Sequence, residues 1–112
     1  MKLFVRRRDM TVPAPLLGYV ERRLRMALGR FSPKVTHATV HLADVNGPRG
    51  GVDKQCTIDV RIQGAAPVVA GDTGTEVRQA VDRAIARLSR ALERAAARSR
   101  WAQIPRALSP RD

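Results

Sequence analysis

Several features are scarce in this chain of 112 residues, and each scarcity narrows what the protein can be. A single cysteine cannot form an internal disulfide, which agrees with a reducing cytoplasm. No apolar run approaches the ~20 residues of a membrane-spanning helix, and charge interrupts the start, MKLFVRRRD, too early for a signal peptide. Two histidines, three glutamates and no recognisable motif of paired carboxylates offer no catalytic constellation. We therefore expect a cytoplasmic protein that is not an enzyme and uses no cofactor or metal.

Positive charge is abundant instead. The chain has 21 Lys and Arg against 10 Asp and Glu, a formal net charge of +11, and only three of the basic residues are lysines. Its 44% apolar content is that of a globular protein, and its length suits one domain. Arginine offers planar, multi-donor contacts to phosphate and can stack on bases. The composition thus favours a nucleic-acid partner, with an anionic membrane surface as the weaker option.

Hydrophobic periodicity predicts the order β-α-β-β-β-α. Strands are expected at residues 2–7, 35–44, 55–63 and 67–70, where apolar and polar residues alternate or a short apolar run stands alone. Helices are expected over 14–30 and from about 77 to 99, where apolar residues recur at helical spacing. Thr11 is a possible cap of the first helix. Thr73 and Glu76 have the spacing of a capping box before the second helix.

This order predicts an α+β domain over residues 1–99, followed by a mobile tail at 100–112. Both helices must cover the one apolar face of a four-stranded sheet, because that face is the only available core. The opposite face, which carries His37, His41, Asp59 and Arg61, is expected to face water.

The second helix carries an arginine stripe at spacings of 4, 3, 4 and 4 residues, which places its members on one face beside the apolar stripe. The members are Arg83, Arg87, Arg90, Arg94 and Arg98. The first helix carries Arg22, Arg23 and Arg30 on one flank. With the helices side by side, the two sets are expected to form one continuous basic surface suited to a polyanion. The plainer interpretation is a solvated helix face that charge keeps soluble.

Other chemically suggestive residues favour structural roles. Cys56 occupies a core-facing position of an alternating strand, where cysteine behaves as a small hydrophobe. His37 and His41 lie about 13 Å apart on a strand, too far to chelate one metal. The segment 46–51 is rich in glycine but lacks the lysine and following helix of a P-loop, so a hairpin turn is favoured, with Arg49 and Lys54 as possible contacts to RNA backbone. Trp101 is expected to pack on the domain or to end the second helix.

The segment DVNGPRGGVDKQCTIDVRI and the helix EVRQAVDRAIARLSRAL resemble the ribosome hibernation-promoting factors, the family that includes ribosome-associated inhibitor A. The resemblance covers about residues 1–98 and is most specific over 53–62 and 80–84. It implies a bacterial, cytoplasmic, stress-related translation inhibitor with a fold like double-stranded-RNA-binding domains. Such a protein would bind small-subunit rRNA between head and body and compete with mRNA and tRNA. The implied RNA contacts are the helix arginines: Arg22, Arg23, Arg30, Arg83, Arg87, Arg90 and Arg94.

Two features depart from the family pattern. The chain stops near residue 112, so we expect it to lack the C-terminal dimerisation domain of the long family members. Its first strand is unusually rich in arginine, with Arg6, Arg7 and Arg8 in succession. Two other interpretations stay open: a free RNA- or DNA-binding module, such as an RNA chaperone or nucleoid protein, and an interaction protein that recruits a partner through a helix or strand edge.

Overall fold

A computed structural model describes residues 1–45 and 53–98 of the chain. Its elements are β1 (Lys2–Arg8), α1 (Ala14–Leu28), a 3-10 helix (Gly29–Lys34), β2 (Val35–Asp44), β3 (Lys54–Ile62), β4 (Val68–Gly74) and α2 (Val77–Arg98). The predicted α+β class and the β-α-β-β-β-α order are confirmed. The segment 46–51, Arg49 and Trp101 lie outside the described residues, as does the predicted tail.

Proline, rather than a capping side chain, starts α1. Pro13 is the N-cap residue and makes no side-chain cap bond, so the expected cap at Thr11 is wrong. The backbone N–H groups of Leu16 and Leu17 both donate to the Pro13 carbonyl at 3.0 Å. At the other end the helix stops at Leu28, because Gly29 adopts a φ of +35° and the chain tightens into the 3-10 helix. The regular α-helix is therefore two residues shorter than the predicted 14–30.

The sheet has the strand order β1-β2-β3-β4, with β1 parallel to β2 and the other pairs antiparallel. Its register places apolar residues opposite one another on one face, as in the pairs Ala38–Val60 and Leu42–Cys56. All four of these residues are buried, which confirms the predicted alternation of β2 and β3. Beyond the last β2–β3 pair, the Val45 N–H donates to the Asp53 carbonyl at 2.8 Å.

The fourth strand is longer than the predicted 67–70 and runs to Gly74. The extra residues, 71–74, have the composition of a turn. They nevertheless pair with β3, which continues beside them, as in the pair of Thr73 with Gln55. Thr73 therefore lies inside a strand, and the predicted capping box is wrong. The side-chain Oε1 of Gln79 accepts the Thr75 N–H at 2.8 Å instead. Gly74 makes room for this start of α2, since a Cβ there would lie 2.8 Å from Gln79 Oε1.

One apolar core holds the two helices against one face of the sheet. Leu24 and Leu28 of α1, Ile58 of β3, and Leu88 and Leu92 of α2 are among its fully buried side chains. Burial of each such side chain stabilises the fold by about 1.5–3 kcal/mol relative to exposure. Helix α2 packs on β3 and β4 and contacts α1 along one flank. The opposite flank of α2, beside β4, is thereby left open to solvent.

Candidate nucleic-acid interface

The arginine stripe of α2 lies on the flank that faces β4. All five of its side chains are exposed. Two of them are tied to the strand: Arg83 Nη1 donates to the Thr73 carbonyl at 3.1 Å, and Arg87 Nε donates to Asp72 Oδ2 at 3.0 Å. Since each guanidinium has five N–H donors, these bonds orient the two groups and leave donors for an anion.

Of the remaining stripe residues, Arg90 lies beside residues 69–71 of β4, and Arg94 and Arg98 border the groove between α2 and the β3–β4 connection. Arg94 and Arg98 line an open groove of about 650 Å³, with Lys34 at its edge and residues 64–69 along one wall. Within residues 1–45 and 53–98, no hydrogen bond or ion pair engages these three arginines. Their charges are accordingly available to a ligand.

Asp72 is the carboxylate that contacts the stripe. Its Oδ1 accepts the Thr73 backbone N–H at 2.7 Å, and this bond, ahead of the nearby Arg87 and Arg83, lowers the pKa of the Asp72 carboxyl below its ordinary value. The group is therefore ionised at neutral pH and partly offsets the charge of Arg87. Arg90, Arg94 and Arg98 have no such carboxylate among the contacts of the described residues, so their charges are not offset in the same way.

The other flank of α2 meets α1 through an interhelix cluster of Tyr19, Arg23, Arg78 and Asp82. The Tyr19 hydroxyl donates to Asp82 Oδ1, and Arg23 Nε lies 3.5 Å from the same oxygen. The Arg78 guanidinium lies over the Tyr19 ring, 4.2 Å from its centroid. The Arg23 and Asp82 side chains are 37% and 42% exposed, so their ion pair stabilises the fold by at most about 1 kcal/mol.

Arg23, one member of the arginine set of α1, lies apart from the stripe. Arg83 and Arg87 contact β4, whereas Arg23 contacts Asp82 on the side of α2 that faces α1. Helix α2 and an acidic residue thus stand between them. Arg22 is exposed on α1, and Arg30 belongs to the 3-10 helix, where its guanidinium lies 4.5 Å from the centroid of the Phe31 ring.

Lys54, a predicted contact to RNA backbone, already has two protein partners. Its Nζ lies 2.9 Å from Asp53 Oδ1 and 3.3 Å from Asp44 Oδ2. Asp53 is 1% exposed, and its second oxygen has no hydrogen-bond partner among residues 1–45 and 53–98. The hydrogen bond with Asp53 is the main cause of a raised pKa at Lys54. Lys54 thus serves as the counter-ion of a buried carboxylate, a role that no local sequence signal indicates.

The surroundings of Cys56, His37 and His41 agree with structural roles and not with catalysis or metal binding. Cys56 is fully buried, and burial raises the pKa of its thiol to about 12, so the thiolate is negligible at neutral pH. The predicted core role of Cys56 is confirmed. His37 and His41 lie on the other face of the sheet, opposite Arg61 and Thr57. Within the described residues, no three His, Cys, Asp or Glu side chains could together hold a metal ion, and no helix is long and apolar enough to cross a membrane.

The fold and the exposed arginine flank define a small, strongly basic α+β domain with two helices on one face of a four-stranded sheet. The chain belongs to the sigma 54 modulation protein / S30EA ribosomal protein family, whose sequence model matches residues 3–100. This match confirms the family resemblance found in the sequence.

Solved structures of other proteins share the fold. The Thermus thermophilus Protein Y N-terminal domain is 25% identical, with a TM-score of 0.64 over 83% of this chain and 93% of that chain. A ribosomal subunit interface protein from Coxiella burnetii is 14% identical, with a TM-score of 0.72 over 84% of this chain and 96% of that chain. No curated protein sequence matches the chain.

Proposed function

We propose that this domain is a ribosome-associated translation inhibitor of the bacterial cytoplasm that binds small-subunit rRNA in the path of mRNA and tRNA. The observation that carries the proposal is the family match over residues 3–100, nearly the whole chain. The solved relative from Coxiella burnetii is itself described as a ribosomal subunit interface protein. The net charge of +11 fits a partner made largely of phosphate.

The arginine stripe of α2 is the surface best suited to meet that RNA. From Arg83 to Arg98 it extends over roughly 22 Å at 1.5 Å per residue, so it can follow a length of RNA backbone. Arg90, Arg94 and Arg98 bring unengaged guanidinium groups, and Arg83 and Arg87 bring groups that β4 holds in place. Phosphate contacts of this kind position a protein on RNA without reading its sequence.

Inhibition in this proposal is steric and involves no chemical step. A folded domain with one apolar core resists deformation, and such a body lying in the mRNA and tRNA path excludes both ligands by overlap. Binding and inhibition should then rise together with occupancy. Affinity should fall steeply as salt rises, because each neutralised phosphate releases counterions.

Two measurements test the proposal. In sucrose gradients of lysate at low salt, the protein should co-migrate with small subunits or whole ribosomes; a free position at the top would favour an unattached RNA- or DNA-binding module. On isolated small subunits, excess initiator tRNA and mRNA should displace the protein. A near-stoichiometric complex of small subunit, peptidyl-site initiator tRNA and this protein would contradict the steric mechanism while leaving RNA binding intact.

A further inference from the structure

The sheet face turned away from the helices is uncovered, and its composition is not that of a merely solvated surface. Alternation along the strands places polar, basic and aromatic side chains there. We call this surface the open sheet face; its side chains are Lys2, Phe4, Arg6 and Arg8 on β1, His37, Thr39 and His41 on β2, Thr57, Asp59 and Arg61 on β3, and Val69 on β4.

The open sheet face is basic and largely unneutralised. Its one carboxylate, Asp59, is taken up by Arg61, whose Nε and Nη2 donate at 2.8 and 3.2 Å. Within the described residues, no hydrogen bond or ion pair engages Lys2, Arg6 or Arg8. Arg6 and Arg8 border a cleft of about 230 Å³ with the hydrogen-bonding side chains of residues 41, 55 and 57. These groups are suited to hold phosphate oxygens.

An aromatic pair lies beside these cations. Phe4 is 42% exposed on a surface where water would favour a polar residue. Its ring meets His37 edge to face, with the centroids 6.1 Å apart and the planes at 74°. Next along β1, on the same side of the strand, stands Arg6. An exposed ring next to an unengaged guanidinium, on a sheet, offers stacking for a base and charge for its phosphate.

We propose that the open sheet face binds single-stranded RNA, with a base stacked on Phe4 beside His37 and the adjoining phosphates on Arg6 and Arg8. The choice of RNA over DNA rests on the proposed function, because stacking on a ring and phosphate contacts are common to both polymers. This surface is separate from the arginine stripe, which lies beyond the core on the helix side of the sheet. The domain would therefore contact RNA on two sides.

The experiment titrates the full chain against a fluorescein-labelled dodecamer of uridine and follows anisotropy. Phe4→Thr should weaken binding by about tenfold, the effect of losing one stacked base. Phe4→Tyr keeps the ring and should retain near-normal affinity. Because the Phe4 side chain faces away from the helices, neither variant should lower the melting temperature appreciably. Equal affinities of the Thr and Tyr variants would overturn the stacking role.

A second titration tests the phosphate contacts with the double variant Arg6→Gln/Arg8→Gln. Its matched control is Arg90→Gln/Arg94→Gln, which removes the same amount of charge from the stripe. The Arg6/Arg8 variant should reduce the log–log salt slope by about 1.4, since each single-strand phosphate contact contributes about 0.7. The stripe variant should weaken dodecamer binding less than the Arg6/Arg8 variant does, and it should weaken co-sedimentation with ribosomes. The proposal is overturned if the two variants weaken dodecamer binding equally, or if the protein binds anionic vesicles through Phe4 and not the dodecamer. If the unmodified protein binds the dodecamer but does not co-sediment with ribosomes, that result would count against the proposed function alone.

Discussion

The flank of α2 that faces β4 and the flank that faces α1 both lie among arginines, but they differ in what those guanidinium groups contact. Toward α1, Arg23 pairs with Asp82 and Arg78 stacks on Tyr19. Toward β4, Arg83 and Arg87 bond to the strand, and three further arginines have no bond within the described residues. Guanidinium groups on one flank join two helices, and those on the other remain open to a ligand.

The comparison shows that arginine content alone does not mark an interface. An arginine whose donors meet a carboxylate or an aromatic ring of its own protein has less to offer an RNA phosphate. By that measure Arg23 and Lys54 are weaker candidates than Arg90 or Arg94, although each of the four carries one positive charge.

Charge reversal on the open flank should have the largest effect. Arg90→Glu/Arg94→Glu should weaken ribosome affinity by about 100-fold, since two contacts to charged groups at about 1.5 kcal/mol each are lost. Reversal at Arg87 is a less clean test, because it would place a second carboxylate beside Asp72. The control is Arg25→Glu, an exposed residue of α1 outside the stripe. Because the control reverses one charge and the test variant two, a loss of about tenfold in the control would mean that net charge, and not the stripe, determines binding.

Cys56→Ser changes a core residue outside both flanks of α2, so it should lower stability without weakening binding. A hydroxyl in the apolar layer should lower the free energy of unfolding by ~1–3 kcal/mol. Thermal denaturation measures the loss, and ribosome co-sedimentation below the new melting temperature should be unchanged. A variant that melts normally but no longer binds would show that Cys56 acts outside the core.

Asp82→Ala tests the flank toward α1. Without the carboxylate, Tyr19 and Arg23 lose their common partner, which should lower the free energy of unfolding by about 1 kcal/mol. Ribosome affinity should stay within about twofold, because this flank is not part of the stripe. Asp82→Asn, which can still accept a bond from Tyr19, should be less destabilised in urea denaturation. A tenfold change in affinity for either variant would assign the interhelix cluster to the interface.

Asp72→Asn should have the smallest effect on ribosome affinity, and it should raise the affinity instead of lowering it. Removing the carboxylate that offsets Arg87 should strengthen ribosome binding by about twofold at low salt, with the difference fading at high salt. Because the pKa of Asp72 is lowered in the fold, its contribution to stability is present above the unfolded pKa and is lost as pH falls through the folded pKa. In the variant, the melting temperature should therefore fall less as the pH is lowered than it does in the unmodified protein. In the binding measurement, weaker binding of the variant at low salt would show that Asp72 itself aids the contact.

Local patterns in the sequence predicted most of the fold. Alternation over β2 and β3 and helical spacing over α2 each specify one buried face, and the structure buries those faces. The error in the length of β4 arose because a distant partner overrides a local signal. Gly71 and Thr73 resemble a turn but pair with β3, and a Cβ at Gly71 would lie 3.0 Å from the Cys56 carbonyl, so glycine there suits close strand approach.

Local sequence is enough to predict the basic character of this protein, its element order, its family and the single face on which the stripe arginines lie. Periodicity along one element suffices for these, because a helix or strand has fixed geometry whatever its neighbours. Tertiary structure alone decided which flank of α2 meets α1, that Lys54 balances a buried Asp53, and that Phe4 stands beside His37 on an uncovered face. Those outcomes depend on how elements far apart in sequence pack, and the periodicity of one segment carries no information about the neighbour that its flank will meet.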